Sequence, residues 1–167
     1  LEKICSELNL PHTFLDDEAL NQSIGYLFQI NGYHKKSSKE SYHMSQDLMI
    51  FKEVEDEDIL KLNNAIKENG IVMERKAMLT IHNQKWSLKD LLSEIIEEHA
   101  YFKNREELKE YLIQASHFKK DAYPFLIWKA FETSYQKAYI TYTEEKDPDK
   151  LAKNLEDFKK TLSNMKK

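Results

Sequence analysis

At 167 residues, the chain is long enough for one well-buried core, or for one small domain with an appendage. Hydrophobic residues make up 41% and charged residues 32%, a composition typical of folded proteins that excludes disorder throughout the chain. The formal net charge is -4, and basic residues are interspersed with acidic ones. No broad cationic surface is therefore expected, and nucleic acid is not an expected partner.

The apolar stretches are too short to cross a membrane. Charged residues interrupt them within about ten residues, whereas a spanning helix needs about 20. The single cysteine, Cys5, cannot form an internal disulfide, which favours a cytoplasmic location. Because Cys5 lies between Ile4 and Leu8 on a predicted helix, we expect its thiol to pack as a small hydrophobic group.

The first 46 residues predict two helices, one short strand and one loop. "LEKICSELNL" has the apolar spacing of a helix, and "HTFL" predicts a short strand. "DDEALNQSIGYLFQING" predicts a second helix that ends at Asn31-Gly32. "YHKKSSKESYHMSQ" has no sustained period and predicts a mobile surface loop with His34, His43 and Lys39.

Residues 47 to 102 alternate between strand and helix patterns. "DLMIFKEV" and "IVMERKAML" predict strands, and between them "EDEDILKLNNAIKENG" predicts a helix with an acidic start and Gly70 just past its end. Ser87 and Asp90 form a capping-box pattern ahead of another helix. This order predicts the α/β class, with a small mostly parallel sheet and flanking helices. If the first helix is a crossover, the strand that feeds it lies before residue 1.

From residue 103 onward the patterns are helical. Asn104 and Glu107 suggest the start of one helix, Pro124 lies near the start of the next, and Asp147 with Pro148 begins the last. The last helix carries apolar residues at a 4-3-4-3 spacing, which favours an antiparallel hairpin with its neighbour. We therefore expect an α/β domain over residues 1–102 and an all-helical extension over 103–167.

The segment "KAMLTIHNQKWSLKDLLSEIIEEH" resembles the signature of a bacterial family called domain of unknown function 3783. "ICSELNL", "GYLF" and "DLMIF" stand upstream in the order that this family uses, so the resemblance covers about residues 1–102. It implies no activity and no catalytic residues, because the family has none established. The C-terminal part resembles the helical-hairpin repeats called FIVAR, which are found in bacterial surface proteins.

Thr80, His82 and Asn83 form the candidate ligand site. They follow a predicted strand and precede a helix, and ligands of parallel sheets gather at that edge, where exposed amides favour anions. The segment has no glycine-rich phosphate-binding turn, and the same residues could instead satisfy the backbone of a tight turn. The turn interpretation is favoured, and a small polar or anionic ligand is the alternative.

No catalytic, metal or cofactor motif is complete. His99 lacks both the acid at position 96 and the second histidine at position 95 that helical metal motifs need, so we expect it to lie at a helix C-terminus. The acidic run from Glu53 to Asp58 lacks the spacing of a calcium loop and is explained by a helix start. The sequence predicts no metal and no cofactor.

The helical extension holds more aromatic residues than one narrow stripe can bury. Surplus aromatic residues are typical of interfaces, and the candidate interface residues are Tyr123, Phe125, Trp128, Tyr139 and Tyr142. The favoured hypothesis is a non-enzymatic protein-binding or regulatory module that binds a partner protein or a second copy of itself. The alternative is a small-ligand sensor or enzyme that uses the turn from Thr80 to Asn83.

Overall fold

The computed structural model describes residues 1–37, 42–43 and 46–165. Its strands are β1 (Met49–Phe51) and β2 (Lys76–Met78). Short 3-10 turns lie at Asp17–Asn21, Asn83–Lys85 and Lys120–Ala122. The helices are α1 (Glu2–Glu7), α2 (Ile24–Leu27), α3 (Asp56–Glu68), α4 (Leu88–Ala115), α5 (Phe125–Glu144) and α6 (Pro148–Met165).

The chain divides into two compact units, Leu1–Ile95 and Ile96–Lys167. The first unit contains α1, α2, α3, both strands and the beginning of α4, and the second contains the rest of α4 with α5 and α6. The division expected from the sequence, between residues 102 and 103, lies within α4.

The sheet of the first unit is a parallel pair. Met49 lies opposite Lys76 and Phe51 opposite Met78, and α3 connects the two strands. The N–H of Leu79 continues the ladder by donating to the carbonyl of Phe51 at 2.7 Å. The predicted α/β class, with a small parallel sheet and a helical extension, is therefore confirmed.

The sheet and two helices share one apolar core. Phe51 of β1 is buried together with side chains of α1 and α3, namely Ile4, Cys5, Leu62 and Ile66. Cys5 is a buried free thiol, so its predicted packing role is confirmed.

Helix α3 begins with acidic residues, which interact favourably with the positive end of the helix dipole. Two of them, Glu57 and Asp58, also form ion pairs with Lys61. Gly70, with φ +68°, follows the helix end as predicted.

Two predictions for residues 12–32 are wrong. "HTFL" forms no strand because it pairs with neither strand of the sheet, and Phe14 and Leu15 are exposed. The predicted helix is instead a 3-10 turn followed by the single-turn α2. Gln22 and Ser23 adopt extended backbone between the two, and the Ser23 hydroxyl caps α2 by accepting from the N–H of Tyr26 at 3.4 Å. The left-handed residue after α2 is Gln29, with φ 54°, ahead of Gly32 with φ 88°.

The predicted helix start at Asn104 is also wrong. Helix α4 runs without a break from Leu88 to Ala115, and this stretch contains neither glycine nor proline. Asparagine in a helix interior costs only about 0.7 kcal/mol relative to alanine, which does not stop a long helix that is packed on one side. His99 is therefore an exposed residue in the middle of α4 and not at a helix C-terminus.

The second unit has a separate core formed by three helices. A hydrogen bond joins Asn154 to Thr141, and an ion pair joins Asp157 to Lys137. Because the later residue of α6 pairs with the earlier residue of α5, the two helices run antiparallel. Asp147 caps α6, because its Oδ1 accepts from the N–H groups of Asp149 and Lys150. The buried core residues are Leu108, Leu112, Ala115, Phe131, Ala138, Leu155, Phe158, Leu162 and Met165.

Candidate functional site

The turn after β2 is held by reciprocal bonds between Thr80 and Asn83. The N–H of Thr80 donates to Asn83 Oδ1 at 2.8 Å, and the N–H of Asn83 donates to Thr80 Oγ1 at 3.1 Å. Asn83 Nδ2 also donates to the carbonyl of Met78, the last residue of β2, at 2.8 Å. The two side chains therefore fasten the strand end to the following 3-10 turn.

These bonds occupy the side-chain groups that a ligand would otherwise use. Asn83 is partly buried, while Thr80 and His82 are exposed. The contacts support the turn interpretation for Thr80 and Asn83, whereas none of these three bonds involves His82. Ligand binding by these three residues stays a prediction.

A shallow depression of about 570 Å³ lies at the carboxyl ends of the two parallel strands. It includes Thr80 but neither His82 nor Asn83. Two of its residues, Gln29 and Glu53, have positive φ angles of 54° and 51°, a conformation that non-glycine residues adopt at a cost of about 1–2 kcal/mol. The remaining lining residues are Ile30, Asn31, Lys52, Leu79, Ile81 and Gln84.

Sequence reasoning missed a connection between two helix starts. Ser23 and Ser87, which cap α2 and α4, form an antiparallel bridge. The N–H of Ile24 donates to the carbonyl of Trp86 at 3.0 Å, and the N–H of Leu88 donates to that of Gln22 at 2.9 Å. The sequence offered no local signal for this connection, because the bridged residues lie 64 positions apart in the chain.

The buried side chain of Gln22 anchors part of the following loop. Its amide accepts from the N–H of Lys36 at 2.8 Å and donates to the Lys36 carbonyl at 2.9 Å. His34 and His43 are both exposed, and His43 Nδ1 lies 2.7 Å from Asp17 Oδ2. Lys39, which the sequence assigned to this loop, lies outside the described residues.

The five candidate interface aromatics have different environments. Tyr123, Trp128 and Tyr142 are partly buried against the core of the second unit, and Tyr123 stacks on Trp128 with ring centroids 6.2 Å apart. Phe125 and Tyr139 are 65% and 54% exposed. Two aliphatic residues of α5 were missed, Leu126 at 78% and Ile140 at 55% exposed. The helical spacing could have predicted their exposure, because it places both residues on the side of α5 opposite to the buried Phe131 and Ala138.

Over the residues that the structure describes, no cluster of three or more His, Cys, Asp or Glu side chains is placed to hold a metal ion. Within the same residues, no helix combines the length and the apolar character that crossing a membrane requires.

No curated protein and no solved structure matches this chain. A family match covers residues 47–102, from just before β1 to the middle of α4. The resemblance predicted for residues 1–46 lies outside this match, and the resemblance of the C-terminal hairpin to FIVAR repeats stays a prediction. Residues 47–102 match the model of the family described as "Domain of unknown function (DUF3783)", which confirms the predicted resemblance for that segment.

Proposed function

We propose that the protein is a non-enzymatic protein-binding or regulatory module, and that the outward side of α5 binds a partner protein. The observation that carries this proposal is the exposure of Phe125, Leu126, Tyr139 and Ile140 on a helix whose opposite side is already buried. Apolar side chains of this size are stabilised when they leave water, so their exposure favours a protein contact.

The exposed aliphatic residues are aligned along the helix. Leu126, Thr133 and Ile140 recur every seven residues, a spacing that keeps them on one side of α5. Beside Ile140 lies a shallow groove of about 570 Å³ between α5 and α6, with Lys137 and Glu144 on its border. An apolar line bordered by charged residues is the arrangement found at protein interfaces with a polar rim.

Affinity capture with matched variants tests the proposal. Leu126→Glu together with Ile140→Glu should prevent the retention of a partner that the unchanged protein retains from cells of its source. Both residues are exposed, so the substitutions should leave the helical circular dichroism unchanged. Quantitative mass spectrometry of the captured proteins provides the measurement.

His99→Glu together with Gln114→Glu is the control, because it also introduces two carboxylates, at exposed positions on another helix of the same unit. The control should retain the partner. If every captured protein binds the α5 double variant as well as it binds the control, the outward side of α5 is not the binding surface and the proposal fails.

A second candidate is a small-ligand sensor or enzyme that uses the turn from Thr80 to Asn83. The depression beside Thr80 favours it, because this depression lies where ligands of parallel sheets bind and includes Lys52 as a cation. Inorganic phosphate or a nucleotide should then raise the melting temperature, and Lys52→Ala should remove the effect. An unchanged melting temperature with these probes would count against this candidate.

We also propose that the protein acts in the cytoplasm of a bacterium. The buried free thiol of Cys5 supports this location, since thiols stay reduced there. The bacterial source is supported by the sequence resemblance of residues 76–99 to a bacterial family. Detection of the native protein in a membrane-free cytoplasmic fraction tests the location.

A further inference from the structure

The second unit carries another exposed line of side chains, on α4. Phe102, Glu106, Lys109 and Ile113 follow each other at intervals of four, three and four residues, which places them along one side of the helix. They lie about 100–160° around the helix from Leu108, which is fully buried in the core. Phe102 and Ile113 are each 54% exposed, and Glu106 and Lys109 have side-chain exposures of 62% and 42%.

Two copies of this line are complementary to each other when they run in opposite directions. The line reads apolar, acidic, basic, apolar, and its centre lies between positions 107 and 108. A second copy that packs antiparallel about this centre places Phe102 opposite Ile113 and Glu106 opposite Lys109, and it does so twice by symmetry. A line with two like charges in the middle would place like charges opposite each other.

A third pair follows the same rule. Lys103 and Glu110 are exposed on one flank of the line, seven residues apart. In the antiparallel arrangement this flank meets the same flank of the second copy. Lys103 of one copy and Glu110 of the other are then offset by two residues, or about 3 Å along the axis. Both charged side chains are long enough to meet over this distance.

We propose that this line is a homodimer contact in which two copies of α4 pack antiparallel about a two-fold axis between positions 107 and 108. The intrahelical pair of Glu106 and Lys109, whose charged atoms are 2.7 Å apart, becomes part of a cluster of four alternating charges. The apolar part of the line consists of two side chains per copy, so the dimer is weak. This contact is separate from the α5 surface and does not depend on the function proposed for that surface.

Charge reversal tests the arrangement by sedimentation velocity up to about 1 mM full-length chain. Glu106→Lys alone produces a centre of four positive charges, and Lys109→Glu alone produces four negative ones. Each variant should therefore be monomeric over the range in which the unchanged chain dimerises. The three positions substituted in this test and its control, Glu106, Lys109 and Leu126, are exposed or partly exposed, so the variants should fold, and circular dichroism checks that they do.

Two combinations should restore dimers. The double variant Glu106→Lys/Lys109→Glu exchanges the charges and pairs with itself. An equimolar mixture of the two single variants should form a heterodimer, because every introduced charge then meets its opposite. Leu126→Glu is the control, because Leu126 lies on α5, in the surface that the partner-capture experiment tests. This variant should dimerise like the unchanged chain.

A chain that stays monomeric up to about 1 mM would overturn the proposal. So would single variants that dimerise like the unchanged chain, or a mixture and a double variant that both stay monomeric. None of these results depends on whether α5 binds a partner, so the two proposals can fail separately.

Discussion

At the scale of single residues, Asn83 shows how one side chain determines the end of a strand. Its amide satisfies the N–H of Thr80 and the carbonyl of Met78, two backbone groups that lie where the sheet ladder ends. A residue with a shorter or apolar side chain would leave both groups to solvent. The role of Asn83 in the described structure is therefore to close the strand end and start the 3-10 turn.

Asn83→Ala should lower the free energy of unfolding by about 1–2 kcal/mol, because two hydrogen bonds of modest net strength are lost. Asn83→Asp should cost less, since the carboxylate still accepts from the N–H of Thr80 although it cannot donate to Met78. Urea denaturation measures both changes. His82→Ala is the control, because this exposed side chain has no hydrogen bond within the described residues, and a loss as large as that of Asn83→Ala would contradict the explanation.

At the scale of elements, the hairpin of α5 and α6 depends on the start of α6. The N–H of Lys150, followed by its ammonium group and the N–H of Asp149, holds the pKa of Asp147 below its ordinary value of 3.8. Folding therefore favours the ionised carboxylate. This contribution to stability is present above the ordinary pKa and is lost as the pH falls through the lower pKa of the folded state.

Asp147→Asn should reduce stability near neutral pH, and the difference from the unchanged chain should shrink as the pH falls below about 4. Asparagine still caps the helix but has no charge to lose, so the substitution isolates the charge. Chemical denaturation at a series of pH values between about 3 and 7 measures the difference. A difference that stays constant over this range would show that the charge of Asp147 does not stabilise α6.

At the scale of the whole molecule, two of the apolar cores that the described residues form lie in different units. Phe51, Leu62 and Ile66 belong to the core of the first unit, whereas Leu108 and Phe158 belong to that of the second. Each core consists of residues from its own unit, so damage to one core should be felt mainly within that unit.

Leu62→Ala and Phe158→Ala should each destabilise one core by about 2–5 kcal/mol, because both side chains are almost completely buried. Hydrogen exchange followed by mass spectrometry should show faster exchange in α1 and α3 for the first variant. For the second variant, α5 and α6 should exchange faster. Equal acceleration in both units by either substitution would show that the two cores unfold together.

Local patterns predicted much of this architecture. The two parallel strands, the acidic start of α3, Gly70 beyond its end and the caps at Ser87 and Asp147 were all recognised from spacing and residue type. Each depends on neighbours within a few residues along the chain, which is the range over which backbone preference and helix period act. The turn interpretation of Thr80 and Asn83 has the same local origin.

The errors lie where distant contacts decide. "HTFL" has a strand pattern but no partner strand, and Gln22 and Ser23 interrupt a helical pattern because they pair with Trp86 and Ser87, more than 60 positions away. Packing also decided which aromatic residues of α5 are exposed. Trp128 and Phe125 are both large aromatic residues in the first turn of the helix, and nothing in their local sequence separates the partly buried residue from the exposed one. Sequence alone determined the class, most helix starts and the family resemblance of residues 47–102. Tertiary structure decided where α4 continues and which apolar residues remain outside, because burial is a property of neighbours that the chain brings together only by folding.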